Sequence, residues 1–374
     1  MLAERSMKSK SNNRPTLNRR QFLKVSAAGT VGLLTGCGST STRVPAPTDT
    51  PALPPVTPTL PPVTPTAAAR PAAWPAVIRM YPDVPSKVIH AAHPAVWEGE
   101  TLSPAVLRQM LDASITRLTG VNDAREAWAA LFSPKERIAV KVNTFRNSLI
   151  WTHVPLVAAV TDSLQDAGIP GKQIILFDYY DSELEKAGFT LNRDGEGVQC
   201  YGTDDYVDGF DAAGTPVKLS RILAESDALI NMPVLKSHMI AGITFAMKNH
   251  FGSISSPESM HVPVETNMAG LNAIAPIRDR TRLVIGDMLE ANLRYADYFP
   301  YWEADYKGNS ILMSFDPVAH DTVGLQTLSQ LLTADGGDPA SLLGMATPCL
   351  ESGAALGLGT NDPKHMDLVD ITLS

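Results

Sequence analysis

The residues best suited to chemistry fall in one stretch, Asn231-Met232-Pro233-Val234-Leu235-Lys236-Ser237-His238. Gly242 and Lys248-Asn249-His250-Phe251-Gly252 follow it. A lysine supplies a fixed positive charge, a histidine titrates near neutrality, and asparagines donate and accept together. Such a set can hold a small carboxylate or phosphate and move a proton on it. Lys236 and His238 are therefore the candidate catalytic pair, with Lys236 holding charge and His238 acting as acid or base. Lys141 and Asn143, at the end of an earlier apolar run, and Asn231, Lys248 and Asn249 are candidate ligand-binding residues. Each has a plainer alternative. Lys236 could be a solvated loop lysine, His238 could be satisfied by backbone hydrogen bonds, and Lys248-Asn249 could be an ordinary helix end.

Asp178, Asp287 and Asp316 also follow apolar runs. They could be loop caps or, with His153, His238 and His261, a nitrogen and oxygen donor set for a metal. No spacing dictates such a site, so no metal is assigned and any cofactor is left unknown. Asp316-Pro317 reads as an N-cap and first-turn proline. The chain has no GxGxxG, no P-loop and no GxSxG. This argues against a standard dinucleotide enzyme, a nucleotide hydrolase and an α/β-hydrolase.

These residues sit at the ends of predicted strands. Ser86–Ala92, Arg137–Val142, Gln173–Phe177, Ala228–Met232, Arg282–Ile285 and Ile311–Phe315 read as short apolar strands. Helices are predicted between or after several of them. One opens at Ser103-Pro104 and repeats Leu107, Leu111, Ile115 and Leu118 up to Gly120; a second is capped by Asp123. Others cover Pro155–Ala167, about 241–249, and Pro317–Leu332. Continuous apolar strands alternating with helices predict an α/β fold: a mostly parallel sheet with helices on both faces. Ligands of such sheets sit outside the carboxyl ends of the strands. The Gly- and Asp-rich segment Asn192–Pro216 is expected as a loop or hairpin insertion. A helix over 241–249 would put Lys248 on the order of 10 Å from Lys236 at 1.5 Å per residue. The two would then not grip one small anion.

The same polar residues mark a resemblance. Ile138-Ala139-Val140-Lys141-Val142-Asn143, Ala228 through His238, Gly242 through Gly252, and Asp316-Pro317-Val318-Ala319 resemble the DUF362 family. The likeness runs from about Val88 to Thr372 and is most specific over Asp227–Gly252. It implies that Lys141, Asn143, Asn231, Lys236, His238, Lys248, Asn249, His261 and Asp287 occupy the family's recurring polar positions. Many members carry cysteine-rich, ferredoxin-like segments. This chain has none, so no iron–sulfur role is carried over.

The chain holds 374 residues with a net charge of −8, which hides an asymmetry. Seven of the 31 basic residues, and one acid, lie in residues 1–36. The remainder carries 24 basic against 38 acidic residues, a net of −14. So acidic a body repels phosphate backbones, and nucleic acid is not an expected partner. Asn18-Arg19-Arg20-Gln21-Phe22-Leu23-Lys24 looks like a twin-arginine export motif. The apolar segment behind it, Val25 to Gly36, is shorter than the roughly 20 residues a bilayer requires. Leu34-Thr35-Gly36-Cys37 resembles a lipobox, which makes Cys37 the lipidation site. The expectation is a signal peptide over 1–36, recognised by the twin-arginine export machinery. The lipid on Cys37 would anchor the chain to the outer face of the cytoplasmic membrane.

Residues 37–75 form a Pro- and Thr-rich linker that includes Leu53-Pro54-Pro55-Val56-Thr57-Pro58-Thr59 and its repeat, Leu60 to Thr66. Extended, such a stalk reaches on the order of 100 Å at roughly 3.1 Å per residue. Residues 76–374 are expected as one α/β body. Cys200 and Cys349 could form a disulfide or, as the simpler reading, remain separate buried thiols. Two functions follow. One is an exported protein that binds, and could transform, a small anionic ligand. The other is a non-catalytic tethered ligand-binding or assembly module.

Overall fold

The computed structural model describes residues 84–145, 148–295 and 302–374. The expected signal peptide, Cys37 and the Pro-rich linker lie outside these residues. The strands in chain order are β1 (Ser86–Ala92), β2 (Trp97–Glu98), β3 (Thr101–Leu102), β4 (Ile138–Lys141), β5 (Ile174–Phe177), β6 (Gln199–Cys200), β7 (Tyr206–Ala212), β8 (Thr215–Ser220), β9 (Ala228–Asn231), β10 (Val234–His238), β11 (Gly242–Thr244), β12 (Thr281–Asn292), β13 (Tyr306–Ser314) and β14 (Met366–Thr372). The helices are α1 (Pro104–Thr119), α2 (Ala124–Leu131), α3 (Val154–Asp166), α4 (Asp181–Lys186), α5 (Arg221–Ala224), α6 (Ala246–Asn249), α7 (Val264–Ala273), α8 (Ala275–Arg278), α9 (Pro317–Ala334) and α10 (Ala340–Ala355).

The central sheet runs β14-β1-β13-β12-β9-β4-β5-β6. It is mostly parallel, and β13 is antiparallel to both of its neighbours. Helices cover both faces, as the unbroken apolar strands imply. Alternation along each strand divides the core. Ile138, Val140, Ile174 and Ile230 pack with Leu111 of α1 and Val160 of α3. Ala139, Ile175, Phe177 and Leu229 join the cluster that contains Leu325 and Leu328 of α9. With a period of two, Lys141 and Asn231 fall on the same face as Ala139 and Leu229. They are register partners across β4 and β9.

Pro233 shapes the site. It has no N–H for the ladder, so the strand beginning at Ala228 stops at Asn231. The chain resumes as β10 beside the second half of β12, pairing Val234 with Asp287 and Lys236 with Asn292. β11 folds back on β10 and sets Thr244 opposite Lys236. The helix predicted over 241–249 is thus a strand followed by one turn, α6. Gly242 makes the reversal at φ 71°, where an added Cβ would strike the Leu342 carbonyl oxygen at 2.4 Å. The Gly- and Asp-rich segment leads into a true hairpin, β7–β8. β12 is much longer than the Arg282–Ile285 run suggested, because its distal half is paired by β10 and β13. Asp316 caps α9 as expected, accepting from the N–H groups of Val318 and Ala319. Cys200 and Cys349 are separate buried thiols.

Candidate functional site

The carboxyl ends of β4, β5 and β9, together with the β10–β11 arm, meet at one rim. Lys141 and Asp178 close the rim from behind. The Lys141 ammonium donates to Asp178 Oδ1 at 2.7 Å and to the Val142 carbonyl at 2.6 Å. Asp178 also accepts from the Thr144 N–H and hydroxyl and from the Tyr179 N–H. This pair is almost fully buried and internally satisfied, so Lys141 acts as a brace within the wall. The brace needs a glycine opposite. A Cβ on Gly252 would lie 2.5 Å from Asp178 Oδ1 and 2.9 Å from Lys141 Nζ.

In front of the brace, an amide relay leads outward. Lys236 Nζ donates to Asn143 Oδ1 at 2.6 Å. Asn143 Nδ2 donates to Asn249 Oδ1 at 3.0 Å, and Asn249 Nδ2 to Asn231 Oδ1 at 2.7 Å. Asn231 Nδ2 ends the series on the Ala246 carbonyl at 2.8 Å. Every amide turns its oxygen toward Lys236, so the aligned dipoles favour positive charge there. Lys236 spends its other protons on Ser148 Oγ and the Ile150 carbonyl. None of its acceptors is a carboxylate. Burial therefore dominates and pushes its pKa down to about 7; the more distant Asp178 and Asp287 oppose the fall, and Lys141 and Lys248 add to it.

Lys248 is differently placed. Its Nζ contacts His261 Nε2 at 3.3 Å and lies 4.0 Å from the centre of the Phe251 ring. Burial with no carboxylate beside it again lowers the pKa to about 7. Burial first, and then Lys248, hold His261 near 3. His238 Nδ1 accepts the backbone N–H groups of Ile240 and Ala241, both at 3.1 Å. The imidazole is neutral, because burial and then the nearby Lys248, His261 and Lys236 drive its pKa well down. Its proton therefore resides on Nε2, where it is a donor. The ring stacks on Trp302 and His261, with centroids 5.8 Å away in each case.

Asn143, Lys236, His238, Lys248, Asn249 and His261 line one cavity of about 270 Å³, with Phe145, Tyr180 and Trp302 among its aromatic walls. Lys141 and Asn231 stand behind it as supports. Lys236 and Lys248, expected to lie too far apart to share a ligand, open into the same space. The reason is that Lys248 follows a strand folded against β10 and not a helix leading away from it. Local sequence gave no sign of Ser148, the Ile150 carbonyl or Asp321. Asp321, in α9, binds the Ala246 and Met247 N–H groups and so fixes the turn that carries Lys248 and Asn249. The role of Asp178 was readable in part, because it directly follows β5 and β5 pairs Phe177 with Lys141.

The remaining candidate ligands go elsewhere. Asp287 accepts from His153 through both its N–H and Nδ1 at 2.8 Å. Burial opposes charge on His153, but Asp287 and Glu290 outweigh it and raise the pKa to about 10. Asp178 belongs to Lys141. Among the described residues, no group of three or more His, Cys, Asp or Glu is placed to hold a metal.

No curated protein matches the sequence. A crystal structure of a protein from Thermotoga maritima is similar at 13% identity and a TM-score of 0.34, covering 70% of this chain and 61% of that one. The lactate racemase apoprotein from Thermoanaerobacterium thermosaccharolyticum is similar at 11% identity and a TM-score of 0.37, covering 64% of this chain and 57% of that one. The chain thus spans about three-fifths of each of these two structures. A family model described as a domain of unknown function, DUF362, matches residues 138–326. That span begins at the first residue of β4, ends within α9, and contains the brace, the amide relay and both cavity lysines: the chain belongs to the DUF362 family.

Proposed function

We propose that the cavity at the strand ends binds a small anionic molecule. The observation that carries this reading is the pair Lys236 and Lys248. Both are buried, both line one cavity, and neither has a carboxylate within ion-pair distance among the described residues. A buried cation without a counter-charge is costly. A bound carboxylate or phosphate would relieve that cost. His238 Nε2–H adds a directed donor on the same surface, and Asn143 and Asn249 fix the position of Lys236. In this role His238 orients the ligand as a neutral donor, and any proton it supplies comes from Nε2. A pocket holding both Lys236 and His238 supports chemistry on the ligand over a passive tether.

The test is a thermal-shift screen of small mono- and dicarboxylates and inorganic phosphate on the wild type, Lys236→Met and Lys248→Met. Stabilisation of the wild type that is lost in both folded variants is the expected result. Stabilisation that both variants retain would remove the site assignment.

The same proposal places the protein outside the cytoplasmic membrane. The twin-arginine motif at Arg19-Arg20, the lipobox ending at Cys37 and the repeated Pro-rich linker support export, lipid anchoring and a stalk that holds the domain off the bilayer.

A further inference from the structure

The two cavity lysines differ in how their nitrogens are used. Lys236 gives three hydrogen bonds, to Asn143 Oδ1, Ser148 Oγ and the Ile150 carbonyl, which saturates an ammonium. Its three nearest polar partners are all acceptors, so the geometry suits the ammonium form over a free amine. Lys248 gives one hydrogen bond, to His261 Nε2, and its other contact is the face of Phe251. His261 is itself held by hydrogen bonds to the backbone of Glu258 and Pro257. An amine held by one N–H to an imidazole keeps its lone pair and its second proton free toward the cavity. Besides His261, the ionisable groups that share the cavity with Lys248 are Lys236, His238, Tyr179, Tyr180, Asp178, Glu183 and Glu258, and Cys349 acts on it electrostatically. Asp178 is paired with Lys141, and among the described residues no carboxylate forms an ion pair with Lys248. Burial then brings the amine within reach near neutral pH, to about 7, while the ring face still tolerates the cation. A desolvated lysine beside a second cation is the arrangement that activates amines for attack on carbonyls.

We propose that Lys248 forms a Schiff base, and that the ligand is a small anion carrying an aldehyde or ketone group. This rests on the anion-binding reading and names its substrate class. The Lys248 lone pair attacks the carbonyl carbon, a C–N bond forms, and the C=O π pair moves to oxygen. Both protons given up by the amine leave with that oxygen as water when the nitrogen pair closes to C=N, so no other reactant is consumed. Protonation of the imine restores one positive charge where the ammonium stood. The anionic end of the ligand meets the Lys236 charge and the His238 Nε2–H. At about 30 Å³ for each water displaced, the 270 Å³ cavity accommodates a molecule of several heavy atoms.

Two probes test this on the folded wild-type protein. Formaldehyde, the smallest carbonyl, with dimethylamine–borane near neutral pH should methylate Lys248 on the order of tenfold faster than the exposed Lys218, because burial lowers the Lys248 pKa to about 7. Peptide mass spectrometry reads the site. Pyruvate with sodium borohydride should leave a reduced adduct on Lys248. Lys248→Arg, which keeps the charge, should lose the adduct while pyruvate still raises its melting temperature. If pyruvate stabilises the wild type but neither probe modifies Lys248 ahead of exposed lysines, the Schiff-base role is overturned and anion binding stands. If pyruvate gives neither stabilisation nor adduct and the anion screen is also empty, both fall.

Discussion

Lys236 and Lys248 set the pH behaviour expected of the site. Both ammonium groups titrate near 7 in the folded protein because burial disfavours their charge. Binding of a non-carbonyl anion such as phosphate should therefore weaken as pH rises through about 7, by on the order of tenfold between about pH 6 and pH 8.5, in calorimetric titration. Stability should move the opposite way. The folded pKa lies below the unfolded value of about 10.5, so between the two the unfolded chain binds more protons and stability rises with pH. Below about 7 both states are protonated and this contribution is flat. Urea midpoints at about pH 7 and pH 9 should show that rise in the wild type and a smaller one in Lys236→Met. Equal slopes would mean that Lys236 is not desolvated. Sequence spacing could not separate these two lysines from Lys141. Lys141 and Lys236 read as cationic residues near strand ends and Lys248 as one at a helix end, and only the position of Asp178 makes one a brace and leaves two without a paired carboxylate.

At the scale of elements, the site depends on two backbone arrangements held from a distance. The turn after α6 brings Gly252 against the Lys141–Asp178 pair, where no Cβ fits. Gly252→Ala should lower stability by about 1–3 kcal/mol through overpacking and reduce anion binding, measured by denaturant unfolding and thermal shift. A variant as stable as the wild type would show that the brace has room to shift. The start of α6 is held by Asp321, whose carboxylate takes two backbone N–H groups. Asp321→Ala should cost about 1–2 kcal/mol, as for loss of a helix cap, and loosen the turn bearing Lys248 and Asn249. Hydrogen exchange at Ala246 and Met247 reports it directly; unchanged protection there would contradict the assigned role. The strands were readable because fully buried parallel strands are apolar throughout. The 241–249 segment was misread because Gly242-Ile243-Thr244 is too short to show a period. Its pairing with β10, and not its own propensity, decides its conformation.

At the scale of the whole molecule, the sheet places one rim of the domain as the working surface, and the charge distribution separates the two ends of the sequence. The sequence beyond residue 36 carries a net charge of −14, whereas the cavity sets Lys236 and Lys248 beside Asp178, Glu183 and Glu258, with Asp178 paired to Lys141. Small anions therefore meet an unfavourable long-range field and a favourable local one, and affinity should rise modestly with salt that screens the field but does not compete. The proposed anchoring has its own test. Cys37→Ser should shift the protein from the detergent phase to the aqueous phase in detergent partitioning, with folding of the domain unchanged. An unaltered distribution would refute lipidation at Cys37.

The sequence by itself determined the apolar core strands β1, β4, β5, β9 and the first part of β12, the long helices α1, α3 and α9, and the Asp316-Pro317 cap, because each follows from short-range patterns of apolar spacing and capping chemistry. It also placed Asn143, Asn231 and Lys236 near strand ends, and Asn249 at the end of a helix. Tertiary structure alone decided their partners. Asn143 and Lys236 are 93 residues apart in the chain, and Asn143 and Asn249 are 106 apart. Such bonds arise from which strands lie side by side and in what register, and local spacing does not encode either. The division between a paired lysine and two lysines without a carboxylate therefore emerges only when the chain is folded.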